Sequence, residues 1–330
     1  MKRKVIAGVV IGVVLLSLVI GVAVTAVRPP GERAPVYGRS AGGAVGVIAI
    51  NGVITCGRST SGFWGAQTGS EDVIARLREA GGNPEIKAVV LRLNSPGGTA
   101  SGAQEIAAEV DKLRRAGKKV VASMGDVAAS GAYWIASRTD RIVANPGTLT
   151  GSIGVIMQTQ DLQGLYEKIG VGTETFKSGP HKDMGSPARP ITPEERAIFQ
   201  GMVDDIYQQF LTTVAEGRKM NPDDVRRLAD GRVFTGRQAK EAGLVDELGN
   251  YREAIAAAGQ LARLGSEPRV IELGPRGLWR ELLGGSRKAA LGDLLLKMFL
   301  PPDAFSATEK QVIYPAIWLL YPAHFIGRQG

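Results

Sequence analysis

Ala88-Val89-Val90-Leu91-Arg92-Leu93-Asn94-Ser95-Pro96-Gly97-Gly98-Thr99 is an aliphatic run that breaks into a Pro-Gly-Gly turn. A short apolar run bounded by turn residues reads as a buried strand. Just beyond it, within Ala103 to Ala116, Ile106, Val110 and Leu113 fall on one face at 4- and 3-residue steps, which predicts a helix. Working outward, Val45 to Ile54 and Lys119-Val120-Val121-Ala122-Ser123 repeat the strand pattern, and Asp72 to Ala80 the helical one. Strands alternating with helices predict an α/β fold with a parallel sheet. The Gly-Gly turn then lies at the carboxyl end of a strand, where open α/β sheets place ligands. Glycines there let backbone N–H groups approach a ligand, and the N-terminus of the next helix adds positive potential.

Further along, Thr192-Pro193-Glu194-Glu195 opens a strongly helical stretch to Met220, with a Thr cap, Pro at the first position and carboxylates in the first turn. Another helix is expected from Gly236 to Ala242, ended by Gly243. The chain divides into a basic N-terminus at 1–4, an apolar segment at 5–27, a Pro- and Gly-containing tether at 28–44, a folded domain at 45–265 and an apolar, proline-interrupted tail at 266–330.

The 330 residues are 44% hydrophobic and 22% charged, values of a globular α/β protein that exclude collagen-like and broadly disordered chains. The net charge of +8 is spread along the chain, which argues against a dedicated nucleic-acid tract and suits a surface near anionic lipid. A single cysteine, Cys56, precludes an intrachain disulfide and is expected to be a buried filler. Met1-Lys2-Arg3-Lys4 precedes an uncharged stretch from Val5 to Val27. About 20 apolar residues cross a bilayer, so the segment is expected to be a retained transmembrane anchor. The basic cluster would stay cytoplasmic, with everything after Arg28 outside the cytoplasmic membrane.

Only two histidines, His181 and His324, are present, and neither has a context that suggests an oriented base. Phosphate-loop and zinc-peptidase motifs are absent. A second small-residue turn, Met124-Gly125-Asp126-Val127-Ala128-Ala129-Ser130-Gly131-Ala132-Tyr133, follows a strand and could present the Ser130 hydroxyl to a cleft. A serine nucleophile at neutral pH needs a base, and without histidine a desolvated lysine can serve. Lys182 and Lys177 both lie in the turn-rich segment Phe176-Lys177-Ser178-Gly179-Pro180-His181-Lys182-Asp183. Asp183 is a complication, because a nearby carboxylate raises a lysine pKa; the expectation is that it points away. The ordinary alternatives are a strand-to-helix turn, a helix-packing serine and solvated loop lysines.

Five motifs in order, N-S-P-G-G at Asn94 to Gly98, G-D-V-A-A-S-G-A-Y at Gly125 to Tyr133, T-G-S-I-G-V-I at Thr150 to Ile156, K-S-G-P-H-K-D at Lys177 to Asp183 and G-R-V-F-T-G-R-Q-A-K-E-A-G-L-V-D at Gly231 to Asp246, carry a resemblance. Over roughly Gly46 to Ala258 the sequence resembles the short form of bacterial signal peptide peptidase A, a Ser-Lys protease family of the ClpP/crotonase superfamily. The resemblance implies a ClpP/crotonase-like fold of repeated β-β-α units behind the transmembrane helix. It implies Ser130 as nucleophile, Lys182 as base, Ser152 as the hydroxyl that orients the lysine, and the Gly97 and Ser130 amides as the oxyanion hole. It also implies no metal or organic cofactor, signal peptides and other membrane-associated peptides as substrates, and a ring-shaped homo-oligomer, an octamer, whose active sites combine residues of neighbouring copies. A crotonase-like acyl-CoA enzyme and a non-catalytic membrane scaffold are the competing classes; the anchor opposes the first and the joint presence of Ser130, Ser152 and Lys182 the second.

Overall fold

The computed structural model of the protein describes residues 42–62 and 65–274. The expected anchor at 5–27, His324 and most of the tail lie outside them. No helix among the described residues is long and apolar enough to cross a membrane.

The chain runs through β1 (Ala44–Asn51), β2 (Val53–Thr55), β3 (Thr60–Gly62), β4 (Gly65–Gly69), α1 (Ser70–Gly82), β5 (Ile86–Ser95), α2 (Ala100–Arg115), β6 (Lys119–Ala129) and α3 (Gly131–Ser137). It continues through β7 (Arg141–Ala144), β8 (Leu149–Gly151), α4 (Gln163–Lys168), α5 (Pro193–Arg218), α6 (Pro222–Leu228), β9 (Val233–Thr235), α7 (Gly236–Glu241), β10 (Glu247–Leu248), α8 (Tyr251–Leu261) and β11 (Arg269–Glu272). The main sheet has the order β10-β7-β6-β5-β1-β11, all neighbours parallel. A small sheet of order β2-β4-β3 stands beside it. β11 lies in the stretch that composition sets apart as a tail, and it pairs with β1.

Alternation along the strands explains the layering. Ile48, Ile50, Val89, Leu91 and Leu93 face the side covered by α1, α2 and α3, through Leu77, Ile106, Val110 and Ile135. Val45, Val47, Ala88, Val90, Val121 and Val143 face the other side, covered by Ala254, Ala257 and Ala258 of α8. Both faces of the central strands are therefore buried, as a parallel sheet requires.

Two local readings are corrected. Cys56 is free and exposed rather than buried, because it begins the turn that leads away from β2. The strand beginning at Lys119 does not end before the second small-residue turn but continues to Ala129. It does so by changing partners: Val121–Met124 pair with β7, and Val127–Ala129 with β8. Thr148 and Thr150 fasten this fork, their hydroxyls donating to the Gly125 and Ala128 carbonyls at 2.7 Å each.

Candidate active site

The first glycine turn is built by its own side chains. Asn94 Oδ1 accepts from the Asp126 and Val127 N–H groups at 3.1 and 3.2 Å, bridging the register shift between β5 and β6. Ser95 Oγ accepts from the Gly97 N–H at 3.1 Å and closes the turn. Thr99 caps α2 by accepting from the Gly102 N–H at 3.2 Å. Neither glycine can be replaced without displacing backbone. A Cβ on Gly97, whose φ is +104°, would meet Gly131 N and Ser130 Cβ at 2.7 Å, and one on Gly98 would meet Ile54 O at 1.9 Å.

Ser130 is the hinge between β6 and α3. Its backbone adopts φ +54° and ψ −122°, a conformation disfavoured for any residue with a Cβ. Such strain costs on the order of 1–3 kcal/mol and persists only where the surroundings enforce it. Here the Ser130 N–H donates to Gly151 O of β8 at 2.9 Å and its carbonyl accepts the Trp134 N–H of α3 at 2.9 Å, so both flanking elements hold it. Among the described residues its Oγ has no hydrogen-bond partner.

These bonds engage both amides that the resemblance assigns to the oxyanion hole. The Ser130 amide is taken by Gly151 and the Gly97 amide by Ser95. The neighbouring amides are unengaged: neither the Gly98 N–H nor the Gly131 N–H donates to another described residue. The reason is local geometry. Gly98 forms a parallel bridge with Ile54 in which Ile54 N donates to Gly97 O at 2.8 Å and Thr99 N to Ile54 O at 2.9 Å, so Gly98 N is skipped. Gly131 is the first residue of α3, whose N–H has no intrahelical acceptor. The two amides adjoin, since Gly98 N lies 3.3 Å from where a Gly131 Cβ would stand.

Beside them opens a cleft of about 750 Å³, lined among others by Ser130, Ser152, Trp134, Ile156, Tyr207 and Phe210. Trp134 and Phe210 stack at 4.6 Å to form an apolar wall, and the Tyr207 hydroxyl is satisfied by Ala229 O at 2.6 Å. Ser152 also has a left-handed backbone, with φ +48°, and its N–H donates to Arg232 O at 2.8 Å. The fold thus brings Ser130 and Ser152 to one cleft.

Lys182 does not line that cleft; it is exposed in the long segment between β8 and α5. Between Ile153 and Phe210 only Glu195 is buried, although Phe176 is 88% exposed and Ile156 84%. The Asp183 carboxylate is bound by other cations: Arg189 Nε and Nη2 donate to its two oxygens at 2.9 Å each, and Lys177 Nζ to Oδ1 at 2.8 Å. Lys177, the other candidate base, is thereby engaged, and His181 faces Glu194 at 3.4 Å. The capping box at Thr192 forms as read from sequence, and Arg189 Nη1 adds a donor at 2.9 Å to Glu195 Oε2.

The Arg189 guanidinium, followed by the Thr192 N–H, pulls the Glu195 carboxyl down to about 2, and Arg189 with Lys177 holds Asp183 well below the usual carboxylate range. A folded-state value below the unfolded one of about 4 stabilises the protein above that pH and is lost on acidification. Glu195→Gln should therefore be less stable than wild type at neutral pH, and the two melting temperatures should converge between about pH 4 and pH 2. Parallel melting curves across that range would remove Glu195 from the network.

A strained serine at a strand-to-helix elbow, with free amides and an apolar cleft beside it, is the layout of a serine-type acyl hydrolase. The model of peptidase family S49 matches residues 112–265. A putative signal peptide peptidase of Enterococcus faecium is 34% identical over 275 residues, covering 81% of this chain and 79% of that protein. A putative protease of Synechocystis sp. is 46% identical over 202 residues, covering 60% of this chain and 72% of its own. Protease 4 of Salmonella typhi is 37% identical over 276 residues, which is 81% of this chain and 43% of that protein, so the chain spans less than half the length of that relative. The chain belongs to peptidase family S49 and is a serine-type peptidase of the signal peptide peptidase A kind.

Proposed function

We propose that this protein is a membrane-anchored endopeptidase working through a Ser130–Lys182 dyad, with its catalytic domain outside the cytoplasmic membrane and cleaved signal peptides and other membrane-associated peptides as substrates. The observation that carries the reading is the strained Ser130 backbone beside two unengaged amides. Lys182 takes the proton of Ser130 Oγ, the alkoxide attacks a peptide carbonyl, and the C–N bond breaks as the amine leaves with a proton. The Gly98 and Gly131 N–H groups receive the developing oxyanion; each such donor contributes about 2.7–4 kcal/mol in a transition state. Water, deprotonated by Lys182, then releases the acyl group. Ser152, on the cleft with Ser130, orients the lysine. The Trp134–Phe210 wall accepts an apolar substrate side chain, in keeping with signal-peptide cores.

Lys182 reaches the serine of a neighbouring copy in a homo-oligomeric ring, for which eight subunits is the expectation. In support, the segment that carries it exposes Ile156, Leu165, Ile169, Val171 and Phe176, an apolar series that a lone chain leaves in water. Co-expressing Ser130→Ala and Lys182→Ala chains tests this. Random mixing in a ring of head-to-tail contacts pairs an intact serine with an intact lysine at one interface in four, so about a quarter of wild-type activity should return. No recovery in mixed oligomers would place both residues in one chain.

A further inference from the structure

We infer that Arg189 is a positioning residue for the lysine base: by clamping the Asp183 carboxylate, it keeps that carboxylate from pairing with the adjacent Lys182 ammonium. The inference rests on the reading of Lys182 as base. A lysine followed directly by an aspartate is poorly suited to that task. An opposite charge within about 4–6 Å favours the charged form and moves a pKa by roughly 1–3 units. A base must instead be neutral for part of the time at the working pH.

The geometry removes the conflict. Asp183 receives two parallel N–H donors from the Arg189 fork and a third from Lys177. The same guanidinium turns its other edge to Glu195, which is 2% exposed, and Nη1 also donates to Pro190 O at 3.1 Å. The planar guanidinium presents one edge to each carboxylate in fork geometry, which the point charge of a lysine ammonium does not reproduce. The charged groups around the turn are thereby paired off. From the segment itself come Lys177, Asp183 and Arg189; from α5 come Glu195, held by Arg189, and Glu194, which faces His181. Lys177 and Arg189 balance Asp183 and Glu195, and Lys182 Nζ bonds to no described residue. Arg189 also fastens the segment to α5, so a purely structural role must be separated from an electrostatic one.

The test uses the full-length protein in neutral detergent as wild type, Arg189→Ala, Asp183→Asn and the double variant, with two readouts. One is the acid limb of kcat/KM against pH. The other is the pH dependence of Lys182 acetylation by acetic anhydride, followed by peptide mass spectrometry, which reports the lysine charge whether or not it catalyses. Arg189→Ala should raise the acetylation midpoint by about half to one pH unit and carry the acid limb with it. Adding Asp183→Asn should return both to the wild-type position, because no carboxylate remains to pair; lost anchoring alone would not be rescued. An acetylation midpoint that stays put in Arg189→Ala, or that moves and is not restored in the double variant, overturns the inference. A midpoint that moves and returns while the acid limb stays still leaves the clamp standing and removes Lys182 as base.

Discussion

Ser130→Ala abolishes peptide cleavage, lowering kcat by on the order of 10⁴-fold or more, while the fold persists. The hydroxyl is the only atom lost, its neighbours are backbone amides and the apolar cleft, and no described residue depends on its Oγ for a hydrogen bond. Ser130→Gly is the informative companion. It is equally inactive, but only glycine is unstrained at φ +54°, so it should be more stable than Ser130→Ala by about 1 kcal/mol. Thermal unfolding of the two variants measures this directly. Equal stability would mean that the elbow is not strained, and activity surviving either substitution would overturn Ser130 as the nucleophile.

Lys182→Ala is the second large effect, a loss of comparable size in kcat with little change in stability, since the exposed side chain has no described partner to leave behind. Lys177→Ala separates the two candidate bases. It removes one of three donors to Asp183 and leaves the Arg189 fork in place, so a loss of less than tenfold is expected. Cleavage of a fluorogenic apolar peptide by both variants from pH 9 to pH 5 decides. Wild-type rates should fall on acidification, as a protonated lysine accepts no proton. Activity that survives Lys182→Ala but not Lys177→Ala would exchange the roles.

Much of this site was legible in residue order. Asn94 to Thr99 announced a strand, a glycine turn and a capped helix, and Ser95 and Thr99 make the local bonds their types suggest, whereas Asn94 reaches across to Asp126 and Val127 on the next strand. Thr192-Pro193-Glu194-Glu195 likewise specified a helix start, because capping is a contact between residues three apart. Ser130 among small residues left open a hydroxyl presented to a cleft or an ordinary helix-packing serine, and its backbone strain could not be read there, being imposed from Gly151 and Trp134.

What the chain order determined by itself was the alternation of strands and helices, the glycine turn at a strand end, and the small set of hydroxyls and lysines able to do the chemistry, since these depend on residue type and short spacing. Tertiary structure alone decided which amides remain free and which charges are spent. The Ser130 N–H is consumed by Gly151 of β8 and the Gly98 N–H is passed over by Ile54 of β2, because both partners arrive from distant parts of the chain to take specific backbone groups, while the Gly97 N–H is closed locally by Ser95. The strand from Lys119 outran its sequence pattern because β8 offered a second partner beyond Met124. Asp183 is paired with an arginine six residues on, whose other edge is held by Glu195 at the start of a helix.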